Sequence, residues 1–344
     1  MLRFLQIIIY GLLLLLTTAV LAQDNYFFTL STTKARPLAM GNAFTAVEND
    51  IISMTFNPAS LSLFSSKKDY HFTAFFNPIA AGTIFYERLR SRSQADAQPF
   101  GIRESLATAL LLVKGLAMTI KFIDVALLFN EQIINEPQLR RQQQFLDDDH
   151  LWDNSYHTLA VRMQLAERVA IGASGSYYRQ QGDERLRHGL GFSYGVLIKP
   201  APSLNVGLSF VDFPDGLTDA RLPLERLVDQ TMNIGIAFRP TPQTTIAFDL
   251  RNLTEDERKA VREAHFGVEQ NLLSILALRA GFSQERFTAL QTYSVGIGLV
   301  DSNLFFSSEN KLDHPQWLLN YALIYQKNAS SRLYWHSLSL LIRL

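Results

Sequence analysis

Large apolar residues alternate with small or polar residues along most of the chain from about residue 69 onward. One segment shows the pattern plainly, with Leu190, Phe192, Tyr194, Val196 and Ile198 at even positions and Gly191, Ser193 and Gly195 at odd ones. Because side chains on a β-strand point alternately to opposite faces, this period of two predicts strands with one bulky apolar face and one small or polar face. The predicted strands are 105–113, 115–128, 152–165, 168–180, 187–199, 203–213, 229–239, 243–252, 262–271, 274–283, 290–300, 317–326 and 332–344, with one or two more in 69–90.

Two architectures can be built from such strands. In a soluble sandwich the apolar faces pack inward, whereas in an outer-membrane barrel they face lipid and the small polar faces line the interior. The segments are about 10–13 residues long, which suits a tilted bilayer crossing and exceeds the about 5–6 residues of ordinary strands. Short turns such as 199–202 and 239–242 alternate with longer loops such as 130–151 and 214–229. The pattern favours an all-β fold, an antiparallel transmembrane outer-membrane β-barrel of about 14 strands.

The beginning of the chain predicts export. Arg3 precedes an apolar run from Ile7 to Leu21, and Ala22 then precedes the polar Gln23. A basic start, an apolar core and a small residue at the cleavage position predict a signal peptide over 1–22. An uncleaved anchor helix is the alternative.

Charge and cysteine content narrow the partners and the compartment. Lysine and arginine number 32, and aspartate and glutamate also number 32, so the chain lacks the basic surplus of a nucleic-acid-binding protein. The chain contains no cysteine, which excludes disulfide bonds and a lipoprotein anchor. Together with the leader, this predicts a protein of the bacterial outer membrane, in contact with its lipids.

A stretch without the alternating pattern, 35–61, separates the leader from the predicted strands. It contains a small-residue turn at Gly41, acidic residues at Glu48 and Asp50, and a turn at Asn57-Pro58-Ala59. Because a barrel of about 14 strands leaves a wide interior, a long segment of this kind is expected to fill it. We therefore expect 23–66 to form an amino-terminal hatch or plug and 67–344 to form the barrel.

The same stretch resembles a known family. Its residues are Ala35-Arg36-Pro37-Leu38-Ala39-Met40-Gly41-Asn42-Ala43-Phe44-Thr45-Ala46-Val47, then Asp50, then Asn57-Pro58-Ala59-Ser60-Leu61. They resemble the hatch motif of the PorV/PorQ family, G-A-R-x-L-G-M-G-x-A-F-x-A followed by an acidic step and N-P-A-x-L. That family belongs to the wider group of FadL-type outer-membrane transporters of long-chain fatty acids. The chain departs from the pattern at Ala39 and Ser60, where glycine is usual, and at Asn42, where a third small residue is common. It also ends in Leu344, where many such barrels end in Phe.

The resemblance implies two functions. PorV and PorQ proteins serve type IX secretion, so the first interpretation is transport or type IX-like secretion of protein cargo across the outer membrane. The alternative is a FadL-like passive channel for long-chain fatty acids or other hydrophobic compounds, which leave the barrel sideways into the membrane. A third interpretation is a structural barrel with a permanently closed hatch. None of the three is enzymatic or requires a cofactor.

The candidate functional residues follow from the hatch motif and from the small polar faces of the strands. In the hatch they are Arg36, Met40, Gly41, Asp50, Asn57, Pro58 and Ala59. The lumen-facing candidates are Arg162, Ser193, Asn205, Asn233, Asp249, Arg251 and Arg343. We expect Arg36, Glu48 and Asp50 to form ion pairs with lumen charges such as Arg162, Asp249, Arg251 or Arg343. The alternative is that these hatch residues only hold the plug in place.

Two other motifs have structural explanations. Gly191-Phe192-Ser193-Tyr194-Gly195 matches the G-x-S-x-G motif, but that motif requires a strand-to-helix turn and Ser193 lies inside an alternating segment. Asp147-Asp148-Asp149-His150 is interpreted as a solvated acidic loop, and the scattered histidines show no zinc-binding spacing. The sequence therefore predicts no catalytic residue and no metal ligand.

Overall fold

The computed structural model describes most of the predicted barrel and the hatch stretch. The described residues are 26–29, 32–62, 70–79, 81–82, 106, 109, 112–132, 155–181, 186–212, 230–253, 262–272, 275–285, 289–299, 316–327 and 332–344. The predicted signal peptide 1–22 and the acidic loop 147–150 lie outside these residues.

Fifteen strands form one sheet. They are β1 (Tyr26–Thr29), β2 (Tyr70–Phe76), β3 (Val113–Ile120), β4 (Ile123–Gln132), β5 (Ser155–Ala166), β6 (Val169–Gln181), β7 (Leu186–Ala201), β8 (Leu204–Asp212), β9 (Gln230–Thr241), β10 (Thr244–Arg251), β11 (Glu263–Leu272), β12 (Leu276–Glu285), β13 (Gln291–Leu299), β14 (Gln316–Lys327) and β15 (Arg332–Arg343). From β2 to β15 each strand pairs antiparallel with the next, and β15 pairs again with β2. The predicted all-β fold, a closed antiparallel barrel of 14 strands, is confirmed.

The closing seam between β15 and β2 is short. Ile342 pairs with Phe76 and Arg343 with Phe75, and the backbones of Ala74 and Leu344 exchange hydrogen bonds of 3.0 and 2.9 Å. Farther along β15, the described register runs parallel to β1, from Tyr26 opposite Tyr334 to Thr29 opposite Ser337. Both pairings give hydrogen-bond partners to backbone groups on the same edge of β15. Lipid could not provide such partners.

The first predicted hairpin is placed differently in the structure. The predicted strand 115–128 is two strands, β3 and β4, joined by a turn at Lys121-Phe122, and residues 106, 109 and 112 of the predicted strand 105–113 are helical. Lys121 has a left-handed backbone with φ of 56°, which reverses the chain. The sequence carries this signal, because large apolar residues occupy even positions up to Phe122 and odd positions from Ile123 onward.

The bulky rows of the strands face outward. The exposed large hydrophobic side chains include Leu159, Leu190, Phe192, Tyr194, Phe210, Ile236, Phe248, Phe266, Leu278 and Val295. Their neighbours along the strands are buried alanine, serine and asparagine residues, such as Ala160, Ser193 and Asn233. The surface is therefore apolar on its outside and small and polar within, as in an outer-membrane barrel.

Residues 32–62, called the inner segment below, lie against the inward face of the strands. They contain a five-residue helix, α1 (Ala35–Ala39), and two 3-10 helices, Ile51–Thr55 and Pro58–Ser60. One buried hydrophobic cluster joins the inner segment to the barrel wall, with Met40, Phe44, Val47, Ile51, Ile52, Met54 and Leu61 packed with Phe75, Leu128, Leu197 and Leu341. The core of the molecule therefore lies between the inner segment and the barrel wall.

Candidate functional site: the inner segment and its seat

The turn Asn57-Pro58-Ala59 is held by its own capping and by the wall. Asn57 has an extended backbone, and its side-chain oxygen accepts a hydrogen bond of 3.0 Å from the Ala59 amide, which caps the 3-10 helix that Pro58 begins. The Asn57 Nδ2 donates to the carbonyl of Thr45 at 2.9 Å and to that of Val196 on β7 at 3.2 Å. One side chain thus joins two parts of the inner segment to the barrel.

Glycines on the wall make room for the inner segment. At each of seven inward positions besides Gly115, where the nearby inner-segment atoms are the flexible end of the Ile51 side chain, an added Cβ would come within 3.0 Å of inner-segment atoms. We call this set the glycine row: Gly172, Gly195, Gly207, Gly235, Gly267, Gly281 and Gly296, on β6, β7, β8, β9, β11, β12 and β13. Contacts this close leave no space for a larger residue, so the row forms a seat shaped to the backbone of the inner segment.

The motif residues Met40 and Gly41 lie on this seat. The Met40 carbonyl faces Gly267, and the Gly41 amide faces Gly281 and donates a hydrogen bond of 3.1 Å to Ser294 Oγ. Gly41 and Asn42 both have left-handed backbones, with φ of 59° and 61°. The chain therefore turns sharply where it touches the wall, which glycine and asparagine tolerate best.

Asp249 on β10 anchors the next turn of the inner segment. Its Oδ2 accepts hydrogen bonds from the amides of Phe44 and Thr45, at 2.8 and 2.9 Å, and from Thr45 Oγ1 at 2.7 Å. Arg251, on the same strand, donates to the Asn42 carbonyl and lies over the ring of Phe56. A carboxylate that receives several hydrogen bonds is a strong anchor inside a protein.

A cluster of charges holds Arg36. Its guanidinium binds both oxygens of Glu269 on β11, at 2.9 and 2.8 Å, and Asp50 at 3.3 Å. Arg279 on β12 also binds Glu269, at 2.6 Å, and donates to Asn320 at 2.8 Å. Burial lowers the pKa of Arg36, but the carboxylates of Glu269 and Asp50 more than offset this and raise its pKa above the ordinary value.

A second cluster holds Glu48. Lys199 Nζ lies 2.8 Å from Glu48 Oε1, and Arg239 Nη2 lies 3.7 Å from Oε2. Asn205 on β8 donates to the same carboxylate at 3.0 Å and to the Ala46 carbonyl at 3.2 Å. The two cations stand at the ends of strands, beside the short turns of the barrel.

The remaining candidates from the sequence differ in what they contact. Arg162 donates to the Ala59 carbonyl at 3.0 Å and binds Asp124 at 2.6 Å. Asn233 accepts a hydrogen bond of 3.2 Å from the Asn252 amide, and Ser193 is buried in mid-strand between Ser174 and Val211. Arg343 lies at the seam, where its Nε donates to Thr73 Oγ1 at 3.3 Å.

The ion pairs differ from those expected from the sequence. Arg36 pairs with Glu269 and Asp50, and Glu48 pairs with Lys199 and Arg239, so Asp249 and Arg251 serve the backbone of the inner segment instead. The reason is geometric. A buried carboxylate next to backbone amides that have no other partner accepts hydrogen bonds from these amides. The sequence left these partners undetermined because it does not show how strands far apart in the chain surround the inner segment.

The inward residues that the sequence analysis missed include Glu269, His265 and Glu131. Glu269 and His265 lie on the small-residue face of β11, and His265 Nδ1 is 2.7 Å from the Gly41 carbonyl. Glu131 on β4 accepts hydrogen bonds from the amide and hydroxyl of Thr33, at 2.9 and 3.0 Å, and lies 3.7 Å from the buried Lys114. For β11 a signal existed, since Glu263, His265 and Glu269 share the parity of Gly267. A β-bulge in β4 obscured it for Glu131.

Cavities lie on both sides of the inner segment. The larger one, about 670 Å³, is at the short-turn end and is called the mouth cavity below. Its charged lining residues are Arg36, Glu48, Asp50, Arg239, Glu269, Arg279 and Arg343, and its apolar ones are Val47, Ile51, Phe75, Leu299, Leu318 and Leu341. A much smaller cavity of about 40 Å³ lies among Asn42, Phe56, Asn233 and Arg251. Part of the inner segment lies between the two cavities.

Two kinds of feature are absent from the described residues. No helix there has the length and hydropathy needed to cross a bilayer. No group of three or more histidine, cysteine, aspartate or glutamate side chains is placed there to hold a metal ion.

These features define an outer-membrane β-barrel with a polypeptide segment in its interior. Solved structures with a similar fold include the Ralstonia pickettii toluene transporter TbuX, at 12% identity and a TM-score of 0.47, covering 92% of this chain and 98% of that one. The monoaromatic hydrocarbon channel CymD gives the same score and identity over 92% and 97%. A mutant of the Rh. blastica porin gives 0.36 at 10% identity over 67% and 75%. No protein-family profile and no curated protein matches the sequence.

Proposed function

We propose that the chain is a hatch-gated channel for hydrophobic small molecules across the outer membrane, with the inner segment as its hatch. The observation that carries the proposal is the way this segment is held. It occupies the barrel interior on a seat of glycines and is fastened by separate polar clusters around Asp249, Glu269 and Glu48. A segment fastened in this way can move as a unit while the strand ladder stays intact.

The lining of the mouth cavity is consistent with such a cargo. Phe75, Leu318 and Leu341 add apolar surface to a lining that also contains the charged Arg36 and Glu269. An apolar compound loses water favourably against such a surface. The hydrophobic nature of the cargo follows from the resemblance of the hatch motif to FadL-type transporters, and the secretion role of PorV and PorQ proteins remains a hypothesis that depends on the same resemblance alone.

A disulfide tether tests hatch movement, because the chain has no cysteine of its own. Ala39 in α1 and Ala322 on β14 belong to one buried cluster, so Ala39→Cys with Ala322→Cys would fasten the inner segment to the wall. The matched control joins two neighbouring wall strands through Ala126→Cys and Ala160→Cys, which are paired on β4 and β5.

We expect uptake of oleate and of toluene into vesicles to fall at least tenfold when the Ala39–Ala322 tether is oxidised, and to return on reduction. The control tether should leave uptake unchanged. Equal uptake with the hatch free or tethered would contradict the proposal. Loss of exported protein in a deletion strain, with normal uptake, would favour the secretion role instead.

A further inference from the structure

The ion pairs around Glu48 are unusually accessible from one side. Glu48 itself is 3% exposed, whereas the side chains of Lys199 and Arg239 are 32% and 29% exposed at the rim of the mouth cavity. Two cations therefore share one buried carboxylate and keep part of their surface in water. A second carboxylate could reach both cations from the solvent side before Glu48 moves.

The two cations are carried by equivalent turns. Lys199-Pro200-Ala201 ends β7 and Pro202 begins the turn into β8, while Arg239-Pro240-Thr241 ends β9 and Pro242 begins the turn into β10. In each turn a basic residue is followed by two prolines one residue apart, and proline restricts the backbone on both sides of itself. The repetition places two basic side chains on stiff supports that point toward the same carboxylate.

Positive charge exceeds negative charge around the mouth cavity. Four arginines line it, Arg36, Arg239, Arg279 and Arg343, against the three carboxylates Glu48, Asp50 and Glu269, and Lys199 adds a fifth cation at the rim. The cavity of about 670 Å³ has room for roughly 20 waters at about 30 Å³ each, far more than one inorganic anion needs. Charge and size together fit several linked residues with acidic side chains.

We propose that the mouth is a docking site for an acidic polypeptide segment presented from the short-turn side, which in outer-membrane barrels faces the periplasm. One of its carboxylates takes the place of Glu48 between Lys199 and Arg239. Glu48 follows the backbone of Thr45 and Ala46, which lies on Gly207 and Gly235 of the glycine row, so its release loosens this part of the inner segment. The site goes beyond passage of a hydrophobic solute, because it gives the hatch a protein partner.

A labelled hexaglutamate peptide tests the site on the purified protein in detergent. We expect wild-type protein to bind the peptide and the double variant Lys199→Gln/Arg239→Gln to bind at least tenfold more weakly. Arg332→Gln, which removes a cation at the opposite end of the barrel on β15, is the matched control and should bind as wild type does. A heat-modifiable shift on gels verifies that each variant is folded.

Replacing the internal competitor separates displacement from simple attraction. Glu48→Gln should strengthen hexaglutamate binding at least fivefold. Asp50→Asn is the comparison, because it removes a negative charge from the same cavity, but one that pairs with Arg36, and its effect should be clearly smaller. The Ala46 side chain is 1% exposed, so a single cysteine from Ala46→Cys should react faster with a maleimide when hexaglutamate is bound, and not when hexalysine is added.

Three results would overturn the proposal. The first is that the double variant binds hexaglutamate as tightly as wild type does. The second is that hexaglutamate binds no more tightly than free glutamate or phosphate. The third is that Glu48→Gln does not change the affinity for hexaglutamate and that bound peptide does not change the maleimide reaction rate of the cysteine at position 46. The assay measures no solute passage. Its failure is therefore distinct from failure of the channel function, which the tether experiment tests.

Discussion

At the scale of single residues, Asp249 shows how a barrel holds a segment that is not part of its wall. The carboxylate is fully buried, and one of its oxygens accepts three hydrogen bonds from Phe44 and Thr45. Hydrogen bonds to a charged group contribute about 1.5–3 kcal/mol each to stability, so few other side chains bind the inner segment as strongly. Gly235 on the adjacent strand leaves the space that Asp249 needs.

We expect Asp249→Asn to loosen the inner segment by about 2–4 kcal/mol while the barrel stays folded, because an amide replaces the charge and adds a donor that faces the donors of the segment. Ion conductance in planar bilayers should rise and become noisy. Asp212→Asn, on the last residue of β8, two strands away from β10, is the control and should behave as wild type does. Quiet, wild-type conductance in Asp249→Asn would argue against the anchoring role.

At the scale of elements, the glycine row explains why the strands carry so few large residues on their inner face. β6 offers an internal comparison, since Gly172 faces the backbone of Pro58 whereas a Cβ on Gly175 would meet only the outer ring of Phe192 at 3.7 Å. The two glycines are three positions apart and therefore on opposite faces of the strand. Only the first is required by the inner segment.

We expect Gly172→Ala to displace the Asn57-Pro58-Ala59 turn at a cost of about 1–3 kcal/mol, the usual range for overpacking. Limited proteolysis should then cut within 32–62 at a higher rate. Gly175→Ala should be cut at the wild-type rate, because its new methyl group makes an ordinary contact. Equal protection of both variants would show that the wall can yield at Gly172, and that the row is not a tight seat.

At the scale of the whole molecule, two features suit the protein to a membrane: the sheet is closed, and the rows of large apolar side chains face outward. A closed ladder leaves few unpaired backbone groups, and an apolar exterior is stable only where acyl chains replace water. The same alternation leaves small residues inside, which creates the space that the inner segment fills. The same alternation that gives the barrel an apolar exterior therefore also provides the space that the inner segment occupies.

Depth in the membrane gives a direct test of this exterior. Tyr194 lies in the middle of β7 and Leu165 near the turn end of β5, and both side chains are more than half exposed. We expect Tyr194→Arg to lower the free energy of unfolding in lipid by about 2–4 kcal/mol and Leu165→Arg by about 0–1 kcal/mol. Denaturant titration in vesicles measures both, and equal, small effects would mean that the rows face water.

Much of this fold is predictable from local sequence. The strand segments after residue 150 are recovered to within a few residues, because a period of two persists in each and turn residues such as Pro200 and Pro240 mark the ends. The β3–β4 hairpin was merged, since its tight turn contains the apolar Phe122 and resembles a continuing strand. The motif residues Asn57 and Pro58 indicated a capped turn, and the turn is present.

Two levels of information thus specify this protein. Local patterns specify which side chains lie on each face of the strands after residue 150, and that a segment without a strand pattern is available for the interior, because both depend on neighbours a few positions apart. The folded barrel, and no local pattern, brings Arg36 to Glu269, 233 positions away, and Glu48 to Lys199 and Arg239. The physical reason is that such pairs depend on the stagger and closure of all the strands together, which no local pattern contains.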